Sequence, residues 1–403
     1  MVSSNEIIDR IKSSISNTKK LETIQLHEPY FKGSNAYKYL KECIDTGWVS
    51  SSGKWVTEFE SLISNFTGSK YAIAVSNGTV ALRLSLFLAG VRANDEVIIP
   101  PLTFVATANS ISHLGAVPHF IDIEPETLGI CPNALDRHLS EFAEKKGSKV
   151  FNKISKRKIA AVVPVHVFGL PAKIQEIKQV CLKWNLPLIE DAAEALGSKI
   201  KVHNKYTHCG CLGDIGTLSF NGNKIITCGG GGMIVTDDEK IAVKAKHLST
   251  QAKADSFEYY HDEIGYNYRL TNVSAAIGLA QMEQLDKFIK TKHKIKDFYV
   301  NSLNNVCDII FQNVDNKVFS NWWLFTIRTK KQKSLLESLN KNKLQSRPFW
   351  IPMNNLPMFK ENIYITEKNI SKLIYESALS IPCSTNIKPE ELSRVVDCIK
   401  KEF

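Results

Sequence analysis

A chain of 403 residues, 43% apolar and 23% charged, is long enough to bury a large core, and its composition excludes a disordered or fibrous protein. The formal net charge of +10 gathers in runs such as KKGSKVFNKISKRK (145–158) and KTKHKIKD (290–297). These runs lack interleaved aromatics, so they read as solvated surface or as attraction for a small anion, and no nucleic-acid partner is expected.

No apolar run approaches the roughly 18 residues of a membrane span, and MVSSNEIIDR has neither the basic start nor the apolar run of a signal peptide. A cytoplasmic protein without a membrane partner is expected. The nine cysteines are scattered through apolar or mixed segments, which suits reduced thiols better than a disulfide framework.

In chain order, apolar strands alternate with amphipathic helices. YAIAVS (71–76) leads into TVALRLSLFLAG (79–90), EVIIP (96–100) into TFVATANSISHLG, and VPHFIDI (117–123) into NALDRHLSEFAEK. IAAVVPVHV (159–167) leads into AKIQEIKQVCLKW, and LPLIEDA (187–193) follows. Strands that are apolar almost throughout and separated by helices predict a parallel sheet covered on both faces, with ligands at the carboxyl ends of its strands. Further on come GDIGTLSF, IITCGGGGMIVT, a helix from Asp238, a long helix near Gln284, a short strand in WWLFTIR (322–328) and a closing helix from Lys388. The expected organisation is an N-terminal segment (1–29), a large α/β domain with a mostly parallel central sheet covered by helices (30–290), and a smaller C-terminal α+β domain (291–403).

Several residues at strand ends have a chemical use as well as a bland one. In Asn77-Gly78-Thr79, free N–H groups at a helix start suit a phosphate, while Thr79 as a plain helix cap is the alternative. The sequence holds no dinucleotide fingerprint and no Walker loop. Asp191 ends LPLIED, where a carboxylate either pairs with a protonated heterocycle or bonds the next turn; Glu190 is expected to point to the other side of the strand. Phe104 is a flat lid or a core residue, and His166 reads as a satisfied interior histidine. Lys224, in SFNGNKIITCGGGGMIV, is costly to desolvate unless its ammonium reaches water or a carboxylate. The four glycines after it allow close backbone approach to a ligand, unusual dihedrals or a strand bulge. Together, an anion cup, a flat side chain, a strand-end acid and an amine are the parts that pyridoxal phosphate requires.

The ordered motifs SNGTVALRLSLFLAGV, DEVIIPPLTFVATANSI, VVPVHVFGLPA, IEDAAEALGS, GDIGTLSFNGNKIITCGGGGMIVT, GYNYRLTNVSAAIGLAQ and RPFWIPM resemble the DegT/DnrJ/EryC1/StrS sugar-nucleotide aminotransferases, of fold type I among pyridoxal phosphate enzymes. SFNGNKIITCGGGGMIVT, together with HLSTQAK and HDEIGYNYRLTN, looks like the LegC-type branch. The resemblance implies Lys224 as the Schiff-base lysine, Asp191 as partner of the ring nitrogen and Phe104 stacked on the ring. It also implies Gly78, Thr79 and Ser219 around the phosphate, and Asn267 as a phosphate ligand given by the other subunit of a homodimer. Glu194 stands where many relatives carry Gln or His near the cofactor hydroxyl.

The activity so implied is ping-pong transamination from glutamate to a 4-keto sugar nucleotide. UDP-2-acetamido-2,6-dideoxy-hexos-4-ulose is expected first and GDP-4-keto-6-deoxymannose as the alternative. Lys253, Arg269 and Arg347 are candidates for the substrate diphosphate. A deoxygenating relative would carry histidine in place of Lys224, and a catalytically silent relative would lack site residues. The unusually long segment KIKVHNKYTHCGCLG holds His203, His208, Cys209 and Cys211 without the usual ligand spacing, so no metal is expected.

Overall fold

The computed structural model describes residues 22–255 and 257–403; MVSSNEIIDR lies outside them. Four strands run side by side in the order Tyr71–Val75, Gly232–Thr236, Ile215–Ser219, Ile189–Asp191. Six more follow the order Tyr364–Ile365, Val117–Ile121, Glu96–Ile99, Lys158–Val162, Lys149–Asn152, Ala143–Lys146. Parallel bridges Val162–Leu188 and Val165–Asp191 join the two sets into one surface. Gly232–Thr236 runs antiparallel to both neighbours, and the hairpin 143–152 is antiparallel both within itself and to Lys158–Val162, but the remaining pairings are parallel.

Alternate strand residues feed different cores, as a sheet buried on both faces requires. Ala74, Ile98, Met233 and Val235 enter one apolar cluster. Their neighbours Ile73, Val75, Val97, Ile99 and Ile234 enter the other. Helix starts follow local chemistry. Asp238 caps Glu239–Ser249 by accepting from the N–H groups of Lys240 and Ile241. Asn77, not Thr79, caps Gly78–Leu88, accepting from Val80 N–H at 3.0 Å.

Helix Leu285–Leu303 begins after Gln284 as expected, and it runs unbroken through the expected boundary at 290/291. Beyond it, Ile310–Phe311, Phe325–Arg328, Ala378–Ile381 and Arg347–Pro348 form an antiparallel sheet in that order. One excursion from this C-terminal region returns to the large sheet, where Tyr364–Ile365 pairs in parallel with Val117–Ile121. Asp122 anchors it by accepting from Thr366 Oγ1 and from Ile370 and Ser371 N–H, the last two opening helix Ile370–Ser377. The long segment after Ser198 is a hairpin, Lys199–Val202 with Lys205–His208, turned by His203 and Asn204 at positive φ and extended by Val318–Phe319.

Candidate active site

A cleft of about 790 Å³ opens at the carboxyl ends of the large sheet's strands, lined by Gly78, Thr79, Phe104, Asp191, Glu194, Ser219 and Lys224 together with Arg347. Its floor is the start of helix Gly78–Leu88. With Asn77 serving Val80, the N–H groups of Gly78 and Thr79 have no intrahelical acceptor and, with the helix's positive end, would suit a bound anion. A Cβ on Gly78 would stand 2.9 Å from Ser219 Cβ, so only glycine leaves room beside that hydroxyl. The four glycines act behind this cup and do not line the cleft. A Cβ on Gly232 would fall 2.5 Å from the Asn77 carbonyl, so the run brings its strand flush against the anion turn.

Phe104 is 52% exposed at the cleft, 6.2 Å from the Trp350 ring, which excludes the core alternative. Asp191 is buried, its Oδ2 accepting from Thr107 Oγ1 at 2.7 Å and its Oδ1 from Ala193 N–H at 3.2 Å. Thr103 extends this chain, its hydroxyl 2.8 Å from that of Thr107. Burial raises the Asp191 carboxyl above its ordinary range, against the Thr107 hydrogen bond; a cationic ring nitrogen would remove that penalty. Glu190 points to the other side, as expected. It accepts from Gly210, Leu212 and Gly213 N–H and lies 2.9 Å from Nε2 of fully buried His166, whose Nδ1 accepts from Ala172 N–H.

Lys224 lies in the irregular segment between Ile215–Ser219 and Gly232–Thr236. Its Nζ is 3.2 Å from Glu194 Oε1 and 4.1 Å from the centre of the Trp323 ring. Glu194 is buried and holds Phe168 N–H with its other oxygen at 2.8 Å. Burial raises the Glu194 carboxyl, and Lys224 opposes the rise.

The remaining candidates separate. Arg347 reaches the cleft, but Lys253, Arg269 and Asn267 do not line it. Lys253 rests 4.2 Å over the Tyr259 ring, Arg269 bridges Val75, and exposed Asn267 pairs its backbone with Thr250. His203 stands at its hairpin turn, and His208 is spent on Gly197 N–H and the Cys209 carbonyl, so the four His and Cys side chains do not form a donor set. Burial lowers the His208 imidazole to about 4 and pushes the Cys211 thiol up to about 12. Among the described residues, the donors that do converge are His247, Asp262 and Glu263, where Lys244 already pairs with Glu263.

Sequence reasoning missed Thr107, Arg83, Trp323 and Trp350, all of which line the cleft. Helical spacing flags two of them: Thr107 lies three residues after Phe104, and Arg83 lies four after Thr79 on the same helix face. Nothing local flags the tryptophans.

An anion cup only glycine fits, a buried acid for a ring nitrogen, a flat side chain and a free amine suit pyridoxal 5′-phosphate, and on this fold they define an aminotransferase dependent on it. The comparisons agree. The chain matches the DegT/DnrJ/EryC1/StrS aminotransferase family over residues 32–400 and belongs to it. It is 36% identical over 385 residues to a GDP-perosamine synthase of Vibrio cholerae, covering 94% of this chain and 99% of that protein. Against a GDP-perosamine synthase of Escherichia coli O157:H7 it is 35% identical over 386 residues, 95% of this chain and 99% of the relative. Among solved structures, Helicobacter pylori PseC, an aminotransferase of pseudoaminic acid biosynthesis, superposes with a TM-score of 0.84 at 23% identity, over 95% of this chain and 99% of that one. The fold type I architecture expected from the sequence is the one observed. No helix among the described residues is long and apolar enough to cross a membrane.

Proposed function

We propose that the protein transfers an amino group from glutamate to the 4-keto carbon of GDP-4-keto-6-deoxymannose, as a perosamine-type aminotransferase. The observation that carries this reading is full-length similarity to GDP-perosamine synthases from three organisms, at 36%, 35% and 33% identity. It reverses the order drawn from the LegC-like motifs, which put the UDP-linked N-acetyl keto sugar first.

When bound, the cofactor supplies an aldehyde that exchanges amines and a ring that accepts the electron pair of a breaking C–H bond. The rest falls to the chain. Gly78, Thr79 and Ser219 would hold the phosphate, Phe104 would cover the ring, and Asp191 would keep the ring nitrogen protonated. Lys224, released when the donor amine takes its place, would carry the proton between the donor's α-carbon and the cofactor, with Glu194 at hand to pair its ammonium. Arg347 would meet the acceptor's diphosphate at the mouth of the cleft.

Two copies would share the sites. Tyr37, Ile44 and Trp48 on one segment, and Phe257, Tyr259 and Ile264 on another, leave apolar side chains 58–92% exposed, more than a monomer needs. Asn267, outside its own cleft, would serve the partner's phosphate. Mixing inactive Lys224→Ala and Asn267→Ala chains should then restore part of the activity, and no recovery after verified subunit exchange would rule this out.

The acceptor is tested by steady-state rates on the two keto sugar nucleotides with glutamate, with products weighed by mass spectrometry. The kcat/KM for the GDP sugar should exceed that for the UDP N-acetyl sugar by about 10²-fold, because base recognition and an unpaired acetamido group both discriminate. Preference for the UDP sugar would reinstate the other order.

A further inference from the structure

We propose that Trp323 is a positioning residue for Lys224: its indole is a fixed seat for the free amine, set before the cofactor arrives. The Lys224 ammonium lies 4.1 Å over the indole centre while Glu194 Oε1 takes its edge at 3.2 Å. A cation on the face of a buried Trp is attracted by the ring quadrupole, and desolvation strengthens that attraction. Trp323 is 3% exposed.

What separates a seat from ordinary packing is how the ring is held. Its Nε1–H donates to the carbonyl of Asn223 at 2.7 Å, the peptide just before Lys224, so one side chain fixes both the lysine's backbone and its head. The backbone N–H of Trp323 donates to Asn321 Oδ1 at 2.8 Å, and Asn321 Nδ2 donates at 2.9 Å to the Glu194 carbonyl. Asn321 therefore ties the backbone of Trp323 to that of the residue that carries the facing carboxylate. The Trp323 carbonyl accepts at 2.8 Å from Nζ of Lys292, a lysine buried on helix Leu285–Leu303. None of these bonds involves a ligand.

The chemistry gives the seat a use. In cofactor capture the Lys224 ammonium first gives one proton to Glu194 Oε1, 3.2 Å away; the freed Nζ lone pair then adds to the aldehyde carbon, a C=N bond forms, and the aldehyde oxygen leaves as water with the two remaining N–H protons. A four-carbon stem free to rotate reaches that geometry only a fraction of the time, and confining it beforehand raises the rate of the covalent step. Noncovalent holding of the phosphate and ring would fall to Gly78, Thr79, Ser219 and Phe104, and Trp323 would serve the amine.

The inference rests on the cofactor and not on the identity of the sugar, and its test uses no sugar. The full-length protein, stripped of cofactor, is mixed either with pyridoxal phosphate, which bonds to Lys224, or with pyridoxamine phosphate, which cannot. Trp323→Leu should slow the absorbance change of pyridoxal phosphate capture about tenfold and leave the dissociation constant for pyridoxamine phosphate within about twofold. Trp323→Phe, which keeps a flat face but loses the Asn223 bond, should be slowed about threefold. Capture by Trp323→Leu at the parent rate, or equal loss toward both forms, overturns the seat. If Trp323→Leu does not fold, the Phe variant decides: slower capture with intact pyridoxamine phosphate binding supports the proposal, and an unchanged rate defeats it.

Discussion

Gly78, Thr79, Ser219 and Asp191 reach the cleft from the carboxyl ends of sheet strands and the turns that follow them, whereas Trp323, Arg347 and Trp350 arrive from the C-terminal region. The first wall is made of short side chains and backbone N–H groups held by sheet and helix geometry. The second presents large aromatics and an exposed guanidinium. Such a contrast suits a division of labour in which the strand-end wall holds the cofactor and the later wall disposes the lysine and the acceptor. Substitutions on the two walls should therefore fail differently.

The sharpest break is expected at Lys224, which stands between the walls. Lys224→Ala should lose at least about 10³-fold in kcat, since in the proposed function both covalent capture and proton transfer would fall to it. It should still carry pyridoxal phosphate through gel filtration, because the strand-end wall is untouched; turnover near the parent's would remove the central assignment. Next, Asp191→Asn should fold and lose about 10²-fold in the glutamate half-reaction, because a neutral amide does not hold the ring nitrogen cationic. Stopped-flow rates equal to the parent's would show that the acid has another task.

A third test reads the strand-end wall without turnover. The Asp191 carboxyl is raised by burial, so its contribution to stability is present below the ordinary carboxylate range and is lost as pH rises through the raised value. In cofactor-free protein near pH 7.5, Asp191→Asn should therefore raise the melting temperature by about 1–4 °C, and the gain should shrink as pH falls. Saturating cofactor should cancel it. A gain that grows toward acid would contradict the sign. The smallest effect is expected at Phe104→Leu, which should weaken pyridoxamine phosphate binding about two- to tenfold through loss of ring contact. Calorimetry separates this from no change.

The same division explains what the sequence disclosed. Lys224, Asp191 and Gly78-Thr79 were legible because strand-then-turn geometry is local: an acid closing LPLIED or a glycine opening a helix already states its surroundings. The fold was legible for the same reason, since alternation of apolar strands and helices dictates a covered parallel sheet. Trp323 was not legible, because its partners Asn223 and Lys292 meet it only in the tertiary structure. Reading WWLFTIR as a strand was right for Phe325–Arg328, yet it passed over the tryptophan just before it. Of the uses open to the glycine run, Gly229 takes the unusual dihedral, at φ +81°, while the tight neighbour of Gly232 is the Asn77 turn.

The late return of Tyr364–Ile365 to the sheet bears on how the protein is made. Val117–Ile121 leaves the ribosome about 240 residues before the strand that covers its outer side. At translation rates of about 5–20 residues per second, that edge waits roughly 12–50 s with its N–H and C=O groups unpaired. An uncovered strand is a template for pairing with another chain. A nascent chain halted before residue 364 should thus be more prone to aggregate than the finished protein, and the anchoring of the returning segment by Asp122 becomes a matter of yield during synthesis as much as of stability afterwards.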